Sequence, residues 1–240
     1  FFSSIMSFKV VELRTSEISS IIDELKNLGT KIISFTGGEP LLRDDIGEII
    51  DYVHKNGIYI NINTNGTLFS EKINVLNNLN SVKFSLDGPQ EINDYIRGEG
   101  TFQRVIEAIK IARIKNIACS IVVVLSKYNL DSIEYLITLS ENLGVGIIFQ
   151  PVTLTLLGSK DANPHVPDIN KYRRAIDKII EYKKKHKIVL NTTKGLNYLR
   201  NWPNGKNILC SGRRVSCKIE VPGYVFYCSR HFCYKKGLNC

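Results

Sequence analysis

Strand-like and helix-like segments alternate regularly over the first 152 residues of the chain. Buried-strand patterns occupy residues 31–36, 59–64, 82–88, 118–126 and 145–152. Segments with the apolar spacing of amphipathic helices precede the first strand, at 16–28, and separate the others, at 44–56, 70–79, 101–115 and 130–143. This order predicts an α/β fold with a parallel sheet and right-handed crossovers. Periodicity alone does not separate an open twisted sheet from a β/α barrel.

Polar and glycine-rich residues follow the ends of these strands. The segments concerned are Thr36–Pro40, Thr64–Gly66, Ser85–Gly88 and Gln150-Pro151. In a β/α barrel this edge carries the active site, so we expect the functional residues here. Two adjacent glycines let the backbone approach a ligand closely, although a plain tight turn explains them equally well.

Three motifs occur in series: FTGGEPLLRDDIGEII, INTNGTL and KFSLDGPQEINDYIRGEGTF. This series resembles the radical S-adenosylmethionine (radical SAM) enzyme superfamily, in the branch with a cysteine-rich SPASM or twitch extension. The resemblance spans about Glu17 to Cys233. It implies a partial (β/α)6 TIM-like barrel lacking its first strand, in residues 1–165. A connecting helical region over 166–205 and a cysteine-rich extension over 206–240 would follow.

The resemblance implies that S-adenosylmethionine binds at the end of the first of these strands. Gly37, Gly38 and Glu39 would hold its methionine amino group, and Pro40 would fix the exit of the turn. Ser85, which ends a later strand, would contact the ribose or carboxylate. Taken by itself, Ser85 also fits local capping of a turn.

Further residues at the same edge acquire expected roles from the resemblance. Arg97, expected at the start of a helical region, would share the ribose and carboxylate contacts, and Asn65 would lie between the two sites. Ile148 and Gln150 would border the adenine. Asp87 would face the rim and meet the substrate or a neighbouring donor, although it also fits turn capping.

One position departs from the pattern of the family. Relatives often carry His-Asp before the arginine, whereas this chain has Asn93-Asp94 before Arg97. The departure argues against a role for position 93 but not for Arg97. An ordinary surface ion pair of Arg97 with Glu99 or Asp94 is the alternative interpretation.

The cysteine motif of the family is absent from these 240 residues. Relatives bind a [4Fe–4S] cluster through Cys-x3-Cys-x2-Cys after the first barrel strand, and no such spacing occurs here. The chain begins with Phe1 instead of Met. We therefore expect an N-terminally truncated member whose cluster ligands lie upstream, and we expect this chain alone to be inactive.

Five of the six cysteines lie between Cys210 and Cys240. Cys210, Gly223 and Cys228 form a C-x12-G-x4-C spacing that resembles the opening of a SPASM or twitch domain. Thiolates spaced around a β-hairpin can converge on an iron–sulfur cluster. The resemblance therefore implies an auxiliary iron–sulfur cluster, with a zinc site and disulfides as alternatives. Its candidate ligands are Cys210, Cys217, Cys228, Cys233 and Cys240.

The function implied by the resemblance is radical chemistry. The complete protein would cleave S-adenosylmethionine reductively at a [4Fe–4S] cluster, and the resulting 5′-deoxyadenosyl radical would abstract hydrogen from a peptide or protein side chain. A small cofactor precursor is the alternative substrate, and a catalytically dead S-adenosylmethionine-binding barrel is the alternative function. A flavodoxin or ferredoxin would serve as the reducing partner.

The net charge of +9 permits an anionic partner. The densest basic run, residues 183–187, ends a helix-like segment over 168–187, where cations favour the helix dipole. A solvated helix end is therefore preferred over a nucleic-acid surface, and a zinc-tailed nucleic-acid binder is the weakest alternative. No apolar stretch reaches about 18–20 residues and FFSSIM lacks signal-peptide features, so we expect a cytoplasmic protein with no membrane partner.

Overall fold

A five-stranded parallel sheet forms the centre of the computed structural model, which describes residues 12–156, 161–204, 215–220 and 223–226. The strands pair in chain order, each parallel to the next. They are β1 (Ile32–Phe35), β2 (Tyr59–Thr64), β3 (Ser81–Ser85), β4 (Ala118–Leu125) and β5 (Gly146–Pro151). All five predicted strands are confirmed, and their carboxyl ends lie at one edge of the sheet.

Helices occupy the connections between strands and continue after β5. They are α1 (Thr15–Asn27), α2 (Ile46–Lys55), α3 (Phe69–Lys72), α4 (Gln90–Arg97), α5 (Thr101–Ile114), α6 (Ile133–Leu143), α7 (Ile169–Lys185) and α8 (Thr193–Arg200). Asp168 caps α7 by accepting the N–H groups of Asn170 and Lys171, and three lysines form its last turn, as predicted. In the described part of the chain, no helix is both long and apolar enough to cross a bilayer.

One predicted helix is much shorter in the structure. The helix expected over 70–79 is the four-residue α3 followed by a 3-10 turn, Ile73–Val75. Asparagines favour turns over helices, and the Asn77 side chain here donates to the carbonyl of Asn74. Beyond the five strands, residues 188–192 add only a single bridge, between Ile147 and Val189. The described sheet therefore has five strands, and a barrel remains a prediction.

The two faces of the sheet have different chemistry because successive side chains of a strand point to opposite sides. One face is fully buried under the helices and contains Ile60, Ile62, Val82, Phe84, Ile121, Val123, Ile147 and Phe149. The opposite face is polar and half-buried, with residues such as Asn63, Lys83 and Ser85. The helices thus cover only one face, and the polar face is left for a site.

The region after β5 also contributes to the same core. Tyr172 and Ile176 of α7 and Leu196 of α8 are fully buried in it. Farther along, β6 (Lys218–Glu220) and β7 (Tyr224–Phe226) pair antiparallel, which confirms the predicted hairpin around Gly223. The domain boundaries at 165 and 205 remain predictions.

Candidate functional site

The Glu39 carboxylate ties the end of β1 to the end of β2. It accepts hydrogen bonds from Thr64 Oγ1 at 2.7 Å, from the Asn65 N–H at 2.8 Å and from the Leu41 N–H at 3.1 Å. Pro40 is buried and begins the 3-10 turn that follows. A carboxylate has about four acceptor positions, so one position on Oε2 is left for a ligand amine.

Gly37 and Gly38 leave open space beside the backbone. A Cβ added at either position would meet no atom within 4 Å. Gly37 has a φ of +148°, which disfavours other residues, but Gly38 has an ordinary φ. Neither packing nor backbone conformation in the described structure therefore requires glycine at position 38. Close approach of a ligand to the backbone does explain it.

Arg97 and Asp87 form a largely buried ion pair. The Asp87 carboxylate accepts from Arg97 Nη2 at 2.7 Å and from the Val124 N–H at 2.8 Å. Burial raises the pKa of Asp87, although Arg97 and the Val124 N–H oppose that shift. Asp87 is only 3% exposed, so of its two expected roles the structure shows contact with neighbouring donors, and contact with a substrate remains a prediction.

The position of Arg97 also differs from the expectations. It is the last residue of α4 and not the first of a helical region, and its partner is Asp87 instead of Glu99 or Asp94. Its Nε is buried and has no hydrogen-bond partner in the described structure. Buried donors are almost always satisfied, so this atom is available to an acceptor on a ligand.

Asn93 has a structural role that the departure from the family pattern did not predict. It is fully buried, its Oδ1 accepts from the Asp87 N–H at 3.0 Å, and its Nδ2 donates to Thr101 Oγ1 at 2.9 Å. The adjacent Asp94 accepts the N–H groups of Gly100 and Phe102. Burial opposes ionisation of Asp94, but these bonds outweigh it and lower its pKa. Together the two side chains hold the segment that carries Arg97.

Asn129 is a further residue that sequence reasoning missed. It is fully buried, and its Nδ2 donates to the carbonyls of Asp87 at 2.8 Å and Val124 at 2.9 Å. It therefore joins the ends of β3 and β4 beside the ion pair. No local pattern marks it, since its partners lie up to 42 residues away.

A cleft of about 360 Å³ opens on the polar face of the sheet. Residues on or directly after all five strands line it: Thr36, Asn63, Lys83, Ser85, Val122, Ile148 and Gln150. Ser85 pairs with Val122 and Val122 with Ile148, so these side chains form one row across the sheet. Predicted residues Ser85, Ile148 and Gln150 thus meet here. The two-residue alternation in YININT and SVKFS was the signal for Asn63 and Lys83.

Asn65 lies at the same edge but does not line the cleft. Its Oδ1 accepts from the N–H of Thr67 at 2.9 Å and from Thr67 Oγ1 at 2.7 Å. The side chain therefore organises the turn after β2. Contact of Asn65 with a ligand remains a prediction.

The candidate metal ligands lie mostly beyond the described ranges. Cys217 is exposed and forms no disulfide with a described residue. The described ranges contain no group of three His, Cys, Asp or Glu side chains able to hold a metal ion. The sixth cysteine, Cys119, is half-buried in β4, and burial raises the pKa of its thiol. Outside the described residues lie Cys210, Cys228, Cys233 and Cys240.

Comparison with curated proteins finds relatives of two kinds. The AdoMet-dependent heme synthase of Methanosarcina barkeri is 31% identical over 204 residues, which cover 82% of this chain and 58% of the relative. The mycofactocin maturase MftC of Mycolicibacterium smegmatis is 26% identical over 226 residues, which cover 90% and 57%. The chain therefore spans somewhat more than half the length of these relatives.

Comparison with solved structures and family models identifies the fold. Streptococcus suis SuiB bound to precursor peptide SuiA matches with a TM-score of 0.72 at 18% identity, covering 90% of this chain and 53% of SuiB. The model of the radical SAM superfamily matches residues 1–139, the stretch that contains β1 to β4 and the glycine, Asp87 and Arg97 motifs at their carboxyl ends. That match covers more than half of the chain. The chain therefore belongs to the radical SAM superfamily of enzymes.

Proposed function

We propose that the carboxyl edge of this sheet binds S-adenosylmethionine in an enzyme that modifies a peptide or protein side chain. The family implies S-adenosylmethionine and an iron–sulfur cluster. The observation that carries the proposal for this edge is Arg97, whose buried Nε lacks an acceptor. A carboxylate is the acceptor that a guanidinium binds most strongly.

The chain's own residues fit the parts of this ligand. Gly37 and Gly38 leave room for the methionine segment, and Glu39 keeps one acceptor position for its amino group. Arg97 would hold the carboxylate. Asp87 would keep the guanidinium in place, because it already binds Nη2 and leaves Nε free.

The cleft fits the nucleoside part of the ligand. Val122 and Ile148 are apolar and adjacent in register, which suits the flat adenine ring. Ser85 and Gln150 supply a hydroxyl and an amide for the ribose hydroxyls. When bound next to a reduced [4Fe–4S] cluster, S-adenosylmethionine supplies the radical chemistry after which the family is named. The described residues do not provide three ligands for that cluster.

The barrel, the SPASM or twitch branch and the auxiliary cluster remain part of the proposal. Their support is the spacing of Cys210, Gly223 and Cys228, together with the β6–β7 hairpin that lies between Cys217 and Cys228. Metal analysis of anaerobically purified protein separates the possibilities. Iron with acid-labile sulfide supports the cluster, whereas zinc alone contradicts it.

Two substrate classes are supported by named relatives. A maturase, MftC, and SuiB bound to a precursor peptide favour a peptide. The heme synthase and the Fe-coproporphyrin III synthase of Methanosarcina barkeri, at 31% and 32% identity, favour a cofactor precursor. A flavodoxin or ferredoxin as electron donor is likewise proposed.

Calorimetric titration with S-adenosylmethionine tests the proposed site. Gly38→Ala should keep its urea midpoint, because the added methyl meets nothing, yet weaken binding at least tenfold by filling the ligand's space. Arg97→Lys keeps a cation beside Asp87 but removes Nε, and we expect a similar loss. Arg174→Gln, an exposed arginine on α7, is the control that retains affinity.

The outcomes of this titration are distinct. Absence of binding by the unaltered chain rejects the site, and full affinity in both variants rejects its placement. Formation of 5′-deoxyadenosine separates an enzyme from a binding protein. That assay uses protein expressed from the complete reading frame and reconstituted anaerobically with iron and sulfide.

A further inference from the structure

Lys83 lies in the middle of the polar face of the sheet. It belongs to β3, and its Cα partners are Asn63 on β2 and Ser120 on β4. The side chain is half-buried and lines the cleft. A cation in this place is removed from part of its water, so its partners decide what the cleft can bind.

Lys83 has no acceptor in the described structure, unlike the other half-buried lysines there. Lys178 pairs with Glu134, and Lys218 with Glu220. The other two also have acceptors: Lys72 is bound to Asp44 and the Arg43 carbonyl, and Lys183 to the Val189 carbonyl. Lys83 makes no comparable bond with any described residue, although it lies in a polar environment.

The remaining segments of the chain contain no acidic side chain that could pair with Lys83. All 23 Asp and Glu residues lie within the described ranges. The other residues that line the cleft are hydroxyl, amide or aliphatic: Thr36, Asn63, Ser85, Val122, Ile148 and Gln150. Among the described residues that line the cleft, Lys83 is therefore the single charge, and an anion that enters the cleft would supply its partner.

We propose that Lys83 binds a carboxylate of the substrate and so determines the class of substrate, an inference that rests on the proposed function. One ammonium balances one negative charge, which favours a carboxylate over a phosphate dianion. The Asn63 amide lies beside it on the same face and can add a hydrogen bond to the carboxylate.

This carboxylate is distinct from that of S-adenosylmethionine. Lys83 precedes Ser85 by two residues, so its Cα lies about 6.6 Å farther from the carboxyl edge along the strand. Arg97 lies beyond that edge, where it pairs with Asp87. The two cations thus lie at different depths. Arg97 would bind the cofactor at the rim, and Lys83 would bind a substrate group deeper in the cleft.

Matched probes that differ only in charge test the proposal. Glutarate is compared with glutaramide, and an acetylated, amidated Gly-Glu-Gly peptide with its Gln counterpart, with and without S-adenosylmethionine. Binding is followed by NMR after the lysines are dimethylated with 13C, a label that keeps their positive charge. The signal of Lys83 is identified as the one that is absent from the spectrum of the Lys83→Arg variant. In at least one pair, we expect the acid to bind at least tenfold more tightly than the amide and to shift that signal.

Three variants complete the experiment. Lys83→Gln should abolish the preference for the acid, Lys83→Arg should retain it, and Lys178→Gln, a half-buried lysine on α7, should leave it unchanged. A preference in the peptide pair indicates an acidic peptide, and one in the glutarate pair a small carboxylic acid. Absence of a preference in both pairs, or its persistence in Lys83→Gln, overturns the proposal.

Titration of the same variants with S-adenosylmethionine separates the two hypotheses. If Lys83→Gln weakens that binding as much as Arg97→Lys does, Lys83 belongs to the cofactor site and the proposal fails. If the unaltered chain does not bind S-adenosylmethionine, the proposed function fails. The preference of the chain for the acid over the amide would still show whether Lys83 binds a carboxylate.

Discussion

At the scale of single residues, Asp87 shows how a buried carboxylate can fix the position of an arginine. One oxygen accepts from Arg97, and the other accepts from the backbone of β4. Asn93 and Asn129 in turn hold the backbone of Asp87. Under the proposed function, Asp87 would therefore be a positioning residue, and Arg97 would be the group that contacts the ligand.

Asp87→Asn should destabilise the protein strongly. The change keeps the shape of the side chain but leaves the Arg97 guanidinium, whose side chain is 20% exposed, without its counter-charge. Loss of one partner of such a pair costs about 3 kcal/mol, the lower end of the usual range because Arg97 reaches some water. Urea unfolding measures this cost.

Asp44→Asn is the matched control for that change. Asp44 is fully exposed and pairs with Lys72 at 3.4 Å, so its loss should cost less than about 1 kcal/mol. Equal urea midpoints for the two variants would show that the Asp87–Arg97 pair contributes nothing beyond a surface pair.

At the scale of secondary structure, two factors favour glycine in the turns that follow strands and helices: a left-handed backbone conformation and a lack of room for a side chain. Gly57 follows α2 with a φ of +71°, and an added Cβ would meet nothing within 4 Å. Gly66 follows β2 with a φ of +79°, but its Cβ would lie 3.0 Å from Val105 Cγ2 and 3.2 Å from Phe84 Cδ1. Both neighbours are fully buried, so they have little room to move.

Alanine substitutions should separate these two contributions. Gly57→Ala should cost about 1–2 kcal/mol for the left-handed backbone alone. Gly66→Ala should cost a further ~1–3 kcal/mol, because the methyl overpacks the core. Urea denaturation followed by far-UV circular dichroism compares them, and equal losses would mean that the core around Val105 relaxes freely.

At the scale of the whole molecule, one sheet has two faces that serve different purposes. Helices bury the apolar face and stabilise the fold, whereas the polar face carries the cleft, the glycine turn and Lys83. Stability and binding therefore depend on opposite sides of the same strands. A ligand on the polar face should stabilise the fold without changing the buried core.

S-adenosylmethionine should accordingly raise the stability of the whole chain. At a concentration one hundred times its Kd, a ligand that binds only the folded state adds about 2.7 kcal/mol to the free energy of unfolding. Urea denaturation with and without the ligand checks this value. At the same ligand concentration Gly38→Ala should show a much smaller gain, and an equal gain in that variant would place the ligand elsewhere.

Local sequence determined the order of the elements and the edge that carries the site. Apolar periodicity marks every strand of the parallel sheet, and the glycine turn, Ser85, Ile148 and Gln150 lie where the sequence pattern predicts. The prediction was wrong where local signals are weak, as in α3, which is much shorter than the helix expected over 70–79.

Only the tertiary structure decided which side chains become partners. Asp87 bonds to Val124, 37 residues away, and pairs with Arg97 across α4, whereas Lys83 is left without an acid. Periodicity reports the face of an element to which a residue belongs, because it depends on neighbours in the chain. It does not report which charges packing brings together, and those contacts distinguish the arginine that pairs with Asp87 from the lysine that no described acid reaches.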